Sequence, residues 1–240
     1  MLLVLASMAA TAAEENSVTP FSTAQPGTAL PPPWRLTTLP GIKNPTRYSL
    51  ARDNDVVVLR AQAQASMASV VHPLKLDPNQ FPVISWRWKI SNVLRTASMQ
   101  VKAGDDFPAR VYVLFDYDTR KLPLMQRMKL AIARQRYGPD TPAAALCYVW
   151  DGKATAGASA WSPYTDRVRM IVVESGAEHL NAWRGAERNI VADYRTAFGE
   201  DPPAVSGVAI VSDTDNTGES VTAMFGDISL RAVPAMQSGK

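Results

Sequence analysis

A chain of 240 residues, 46% hydrophobic and 20% charged, has the material for one large domain around one core, and all-β sandwiches reach this size undivided. Its formal net charge of +3 permits contact with acidic polymers or anionic surfaces, but no Lys/Arg cluster accompanies it, so nucleic acid is not the partner to expect. A single cysteine, Cys147, excludes an internal disulfide, a two-cysteine redox motif and a two-cysteine metal site, and its apolar neighbours mark it as a small buried hydrophobe.

Residues 1–13 are apolar and end in small side chains, Ala10-Thr11-Ala12-Ala13. This reads as a signal-peptide remnant, too short to span a bilayer, and places the chain in a periplasm or outside the cell. No other stretch is apolar enough for a transmembrane helix. Residues 14–33 read as an extended lead-in ending in Pro31-Pro32-Pro33, 34–233 as one domain and 234–240 as a tail.

Within the domain, strands are expected at 34–39, 46–53, 55–65 and 69–76, with a hairpin turn at Asp53-Asn54. In 83–91, Ile84, Trp86, Trp88 and Ile90 share one face against Arg87 and Lys89, which is strand periodicity; the two tryptophans read as core ahead of a sugar platform. The stretch 109–117 follows Gly104-Asp105-Asp106. Val111, Val113 and Phe115 fall on one face, and Arg110, Tyr112, Leu114 and Asp116 on the other. Residues 122–137 read as a helix with Leu124, Met128, Ala131, Ile132 and Gln135 in one stripe and a basic remainder. Packing of that stripe on a sheet is the first reading, and an envelope contact through the basic helix the second.

Strands resume at 145–151, 155–161 and 167–174; 184–198 reads as a second helix stopped by Gly199, and 205–212 and 221–233 as closing strands. About ten strands without helices between most of them exclude a doubly wound parallel sheet. The fold class expected is all-β: an antiparallel, jelly-roll-like β-sandwich with two inserted α-helices.

Gly104-Asp105-Asp106-Phe107-Pro108-Ala109-Arg110-Val111-Tyr112-Val113, Tyr148-Val149-Trp150, Trp183 with Arg188-Asn189-Ile190-Val191-Ala192-Asp193-Tyr194, and Asp213-Thr214-Asp215-Asn216-Thr217 together resemble an exported bacterial family of unknown function. The resemblance implies a secreted single domain similar to the β-sandwiches of carbohydrate-binding modules, and brings no catalytic residues.

The functional reading follows the polar strand face. Arg110, Tyr112 and Asp116, joined by Arg87 and Arg169 from other strands, would bind a carbohydrate or related polyhydroxylated ligand, and the excess of arginine favours an acidic one. Asp213, Asp215 and Asn216 place oxygen donors at the spacing a structural calcium ion would use, against the reading of an Asx-rich turn; no other cofactor is expected. Binding without catalysis ranks first. The alternative is a polysaccharide hydrolase or lyase, which would require Asp105, Asp106, Asp116, Glu174 or Asp213 to meet in pairs across a cleft. His72 and His179 read as surface or capping residues, and no nucleophile elbow, phosphate loop or zinc ligand set is present.

Overall fold

The computed structural model describes residues 15–38, 40–42, 44–137 and 141–232. The apolar segment 1–13 and the tail 234–240 lie outside them. The strands are β1 Glu15–Ser17, β2 Arg35–Thr37, β3 Arg47–Asp53, β4 Val56–Gln64, β5 Ser69–Leu76, β6 Val83–Ile90, β7 Arg110–Phe115, β8 Ala144–Asp151, β9 Ser159–Ser162, β10 Thr165–Ser175, β11 Arg184–Asn189, β12 Val205–Val211, β13 Ser220–Phe225 and β14 Ser229–Arg231. The helices are α1 Leu124–Tyr137 and α2 Ile190–Phe198.

Two seven-stranded sheets face each other. The first runs β1-β14-β6-β13-β4-β3, with β11 on the free side of β6; the second runs β2-β5-β12-β7-β8-β10-β9. Every pair is antiparallel except β8 and β10, which run parallel. The reason is the connection: 152–164 is long enough to return the chain to the start of β8, and a parallel pair needs a crossover of about a dozen residues. The sandwich with two inserted helices is thus the architecture expected from the sequence, with one parallel pair added.

The core lies between the sheets. Trp86 of β6 stacks on Tyr148 of β8 at 5.2 Å, and Trp88 meets Trp150 at 6.0 Å. Aromatic pairs of this kind add about 0.5–1.5 kcal/mol beyond the area they bury. Both tryptophans of 83–90 are buried, so they are core and not a sugar platform.

Three sequence expectations are corrected. Residues 184–189 are a strand, not the start of a helix: Arg184, Ala186 and Arg188 are half-buried while Gly185, Glu187 and Asn189 are exposed, a period of two, and the segment pairs along Val83–Trp88 of β6. The helix starts at Ile190, where the Asn189 side chain accepts hydrogen bonds from the backbone N–H of Val191 and Ala192. The stripe of α1 does not pack on a sheet; Leu124, Met125, Met128 and Ile132 are exposed. The lead-in is part of the domain: β1 pairs with β14, and Val18 and Phe21 are buried in the core. Asp227, in the break between β13 and β14, accepts from the backbone N–H of Phe21 and Ser22. No helix among the described residues is long and apolar enough to cross a membrane.

His72 shows what the lead-in does. It is 6% exposed, its Nε2 accepts from the backbone N–H of Thr19 at 3.1 Å, and the Trp34 ring meets it edge-on at 5.0 Å. It is therefore a buried anchor and not a surface residue. Burial pushes its pKa below the ordinary 6.5. Between the lowered value and 6.5 the unfolded chain takes up a proton that the folded chain refuses, so this group costs stability as pH falls below about 6.5. The melting temperature should decline between about pH 7 and pH 5, and His72→Gln, whose amide can still accept from Thr19, should flatten that decline. Parallel wild-type and variant profiles by circular dichroism would contradict the assignment.

Candidate functional site

β7 alternates as its sequence requires: Val111, Val113 and Phe115 enter the core, and Arg110, Tyr112 and Leu114 face outward. The outward face is closed at the Arg110 end. Arg110 is 3% exposed, and each of its five N–H groups meets an acceptor. Nε reaches Asp213 Oδ1 at 3.0 Å, and one Nη2–H reaches Asp213 Oδ2 at 2.6 Å. The other donates to the Asp105 carbonyl at 2.5 Å, while Nη1 serves Asp105 Oδ1 at 3.1 Å and Tyr112 Oη at 3.3 Å. The guanidinium also lies 4.5 Å from the centroid of the Phe107 ring. Burial opposes its charge, but Asp213, Tyr112 and Asp105 hold it protonated well above its usual range. Burial pushes the Asp213 carboxyl above the usual carboxylate range; Arg110 pulls against the rise, and Asp106 and Asp105 add to it. No donor of Arg110 is left for a ligand, which corrects its place in the expected binding set.

The turn 213–217 closes the same end of the sheet. Carboxylate oxygens of Asp106, Asp213 and Asp215 lie within 4.8 Å of one another. Asp106 accepts from Asn216 Nδ2 at 3.0 Å and from the Thr217 backbone N–H at 2.6 Å, while Asp213 also accepts from the Phe107 N–H. The Asn216 oxygen accepts from the Tyr164 hydroxyl at 3.4 Å. Of the residues expected to hold calcium, Asp213 already accepts from Arg110 and the Phe107 N–H and the Asn216 oxygen from Tyr164, and the carboxylate that stands with Asp213 and Asp215 is Asp106.

The other expected ligand residues are scattered. Tyr112 is half-buried beside Arg110. Asp116 is exposed beyond the far end of β7, six residues and about 20 Å along the strand direction from Arg110. There it lines a cavity of about 190 Å³ with Arg35, Thr141 and Ser206. Arg87 lies on the outer face of the first sheet, 4.5 Å from the centroid of the Trp183 ring. Arg169 is on the opposite side of the second sheet from Arg110. Of the five residues only Arg110 and Tyr112 lie together. Among the carboxylates a hydrolase would need, Asp106 and Asp213 do meet, within 4.8 Å, but both are buried, Asp106 bound to the 216–217 turn and Asp213 to Arg110; Asp105 is bound to Arg110 as well, and Glu174 to Arg184 at 2.8 Å.

Arg169 belongs to a different constellation. On β10, Val168, Met170 and Val172 pack outward with Cys147 and Val149, so Arg169 and Ile171 point to the inner side. In the β9–β10 register Arg169 lies opposite Trp161, and Ile171 opposite Ser159. β6 covers β8 through the Trp86–Tyr148 stack, and β11 meets β10 through the Arg184–Glu174 ion pair. β9 lies one strand further out. Its inner side chains, exposed Ser159 and half-buried Trp161, form a ledge. The Arg169 guanidinium sits 5.1 Å from the centroid of the Trp161 ring, and Nη2 donates to Ser159 Oγ at 2.6 Å. Phe198 meets the Trp161 ring edge-on at 5.3 Å.

Arg188 of β11 also points to the inner side. It holds Asp193 of α2 through Nε at 2.9 Å and Nη2 at 2.5 Å, and the Tyr148 hydroxyl donates to the same carboxylate at 2.8 Å. Hydrogen bonding to Asp193 raises the Arg188 pKa, so the guanidinium stays charged. The Asn189 cap and the left-handed Gly199 stop, φ 71°, set the short helix that places Asp193 and Phe198. Sequence reasoning found Arg169 but missed Trp161 and Arg188. The signal for Trp161 was the Ser162-Pro163-Tyr164-Thr165 turn that sets the hairpin register; the helix assigned to 184–198 concealed the alternation carrying Arg188.

Arg110→Met should destabilise the protein by about 3–5 kcal/mol, because it leaves Asp213 and Asp105 buried without a cation. Urea unfolding followed by tryptophan fluorescence measures this. A loss below about 1 kcal/mol would mean that the network is not a structural clamp.

The family model described as protein of unknown function (DUF3047) matches residues 32–229. No curated protein sequence matches the chain. Among solved structures the chain is similar to endoglucanase 3 of family GH12 from Trichoderma harzianum, at 8% identity over 93% of this chain and 99% of that one, with a TM-score of 0.43. It is similar to a family 12 xyloglucanase from Bacillus licheniformis at 10% identity over 92% and 99% of the two chains, TM-score 0.44. It is also similar to an exo-beta-agarase at 10% identity, TM-score 0.38, over 92% of this chain and 25% of that one.

Proposed function

The chain belongs to the DUF3047 family, and we propose that it is an exported, non-catalytic β-sandwich protein that binds an acidic carbohydrate on the ledge of β9 and β10. The observation that carries this reading is the half-buried Trp161 indole on the inner side of β9, with the Arg169 guanidinium 5.1 Å from its centroid. An indole offers a flat apolar surface to the C–H face of a sugar ring. A guanidinium beside it offers parallel N–H donors to a carboxylate. Ser159 holds Arg169 in place, so less side-chain freedom is lost on binding.

The same neighbourhood supports binding over hydrolysis. A glycosidase needs two carboxyl groups about 5–10 Å apart, one able to give a proton and one able to attack or to activate water. Asp193 is occupied by Arg188 and Tyr148, and Glu174 by Arg184. Both carboxylates are engaged in ion pairs with arginine. Export rests on the apolar segment 1–13 with its small-residue end.

Calorimetric titration with oligogalacturonate, and with a neutral cello-oligosaccharide for comparison, tests the proposal. The acidic oligomer should bind more tightly. Trp161→Ala should weaken both ligands about tenfold or more, the loss of about 1.4 kcal/mol expected of a central aromatic contact. Arg169→Gln should weaken only the acidic one, and Arg87→Ala and Asp116→Ala should bind as the wild type. Unchanged binding by Trp161→Ala and Arg169→Gln would remove the site, and release of new reducing ends would replace binding with catalysis.

A further inference from the structure

α1 stands apart from the sandwich, and the side it turns to solvent is its apolar one. Leu124 is 70% exposed, Met125 63%, Met128 52% and Ile132 63%. Half of the exposed large hydrophobic side chains among the described residues are on this one helix. At about 100° of rotation per residue these four fall within an arc of about 100°. The half-buried residues Gln126, Leu130 and Ala133 lie on the opposite side, where Gln126 donates to Asp166 Oδ2 at 2.9 Å and ties the helix to β10. Arg127 and Arg134 border the apolar arc on one flank and exposed Lys129 on the other. The whole stretch 119–137 carries six Lys/Arg and no Asp or Glu.

We propose that α1 lies in the surface of an anionic phospholipid bilayer, with Leu124, Met125, Met128 and Ile132 among the acyl chains and Arg127, Lys129 and Arg134 at the headgroup phosphates. An interfacial helix needs this arrangement: an apolar strip facing away from its own domain, flanked by cations whose long stems reach the headgroups. The charge pattern selects the occupant. A second copy of this chain seated on the same face would oppose cation to cation, with no acidic residue in the stretch to relieve it. An anionic lipid surface complements every charge the helix presents. The strip is apolar but for Gln135 and carries no indole–guanidinium pair, so this surface is separate from the β9–β10 ledge.

Flotation of the full chain with vesicles of about 30 mol% phosphatidylglycerol in phosphatidylcholine, and with pure phosphatidylcholine vesicles, tests the proposal. The anionic vesicles should retain the protein and the neutral ones at least tenfold less of it, with retention weakening as salt is raised. The double variant Met128→Gln/Ile132→Gln and the charge variant Arg127→Glu/Lys129→Glu should each lose at least tenfold in vesicle binding. Because these side chains are exposed, melting temperatures should stay unchanged and show that both variants fold. Three results would overturn the proposal: no retention on anionic vesicles; retention that both variants keep, which would place the contact in another segment such as 1–13; or no vesicle binding together with a concentration-dependent dimer that the variants abolish.

Discussion

A buried guanidinium needs an acceptor for each of its donors, and Arg110 has one for all five. Meeting that requirement shapes one end of the second sheet. Asp213 follows β12 and comes from 103 residues away; Asp105 precedes β7; the two reach the same cation only if β7 and β12 are neighbours in the observed register. The loop before β7 and the 213–217 turn fold over the outward face to bring their carboxylates in. The cation that the sequence offers as a ligand contact is thereby spent inside the protein, and that end of the outward face is shut.

The accessible polar surface then has to lie elsewhere, and the unequal cover of the two sheets decides where. β6 and β11 cover β8 and β10, while β9 extends one strand beyond them. An edge strand whose inner face is only partly covered carries side chains that the core would otherwise enclose. Trp161 is held there at half burial by Arg169 on one side and Phe198 on another. Arg188, Asp193 and Tyr148 form the adjoining wall, a compact hydrogen-bonded unit whose single carboxylate accepts from both neighbours. The ledge therefore presents an aromatic plane and cations held by neighbouring side chains.

Much of the fold was legible because strands buried on one face announce themselves locally. The Ile84-Trp86-Trp88-Ile90 alternation and the Val111-Val113-Phe115 alternation each specify a strand and its inner side without reference to anything distant. β11 was not legible, since Arg-Gly-Ala-Glu-Arg-Asn lacks the β-branched and aromatic residues that mark strands, and it is a strand because β6 offers it a free edge. α1 was half legible: its period showed the helix, but an amphipathic pattern does not say which face the domain takes. The site failed for the same reason at longer range. Arg110, Asp116, Arg87 and Arg169 all read locally as polar residues of strands or strand ends, and only the strand order assigns Arg110 to a buried clamp, Asp116 to a cavity rim, Arg87 to the outer face of the first sheet and Arg169 to the ledge.

The sharpest test is a ¹H–¹⁵N spectrum of the assigned protein recorded as oligogalacturonate is added. If the ledge is the binding surface, shifts concentrate on the Trp161 indole N–H, on Ser159 and Arg169, and on the Arg188–Asp193 wall, with Arg110 and Tyr112 unmoved. Shifts concentrated on Tyr112, Asp116 or the outer face around Arg87, with Trp161 unmoved, would contradict it.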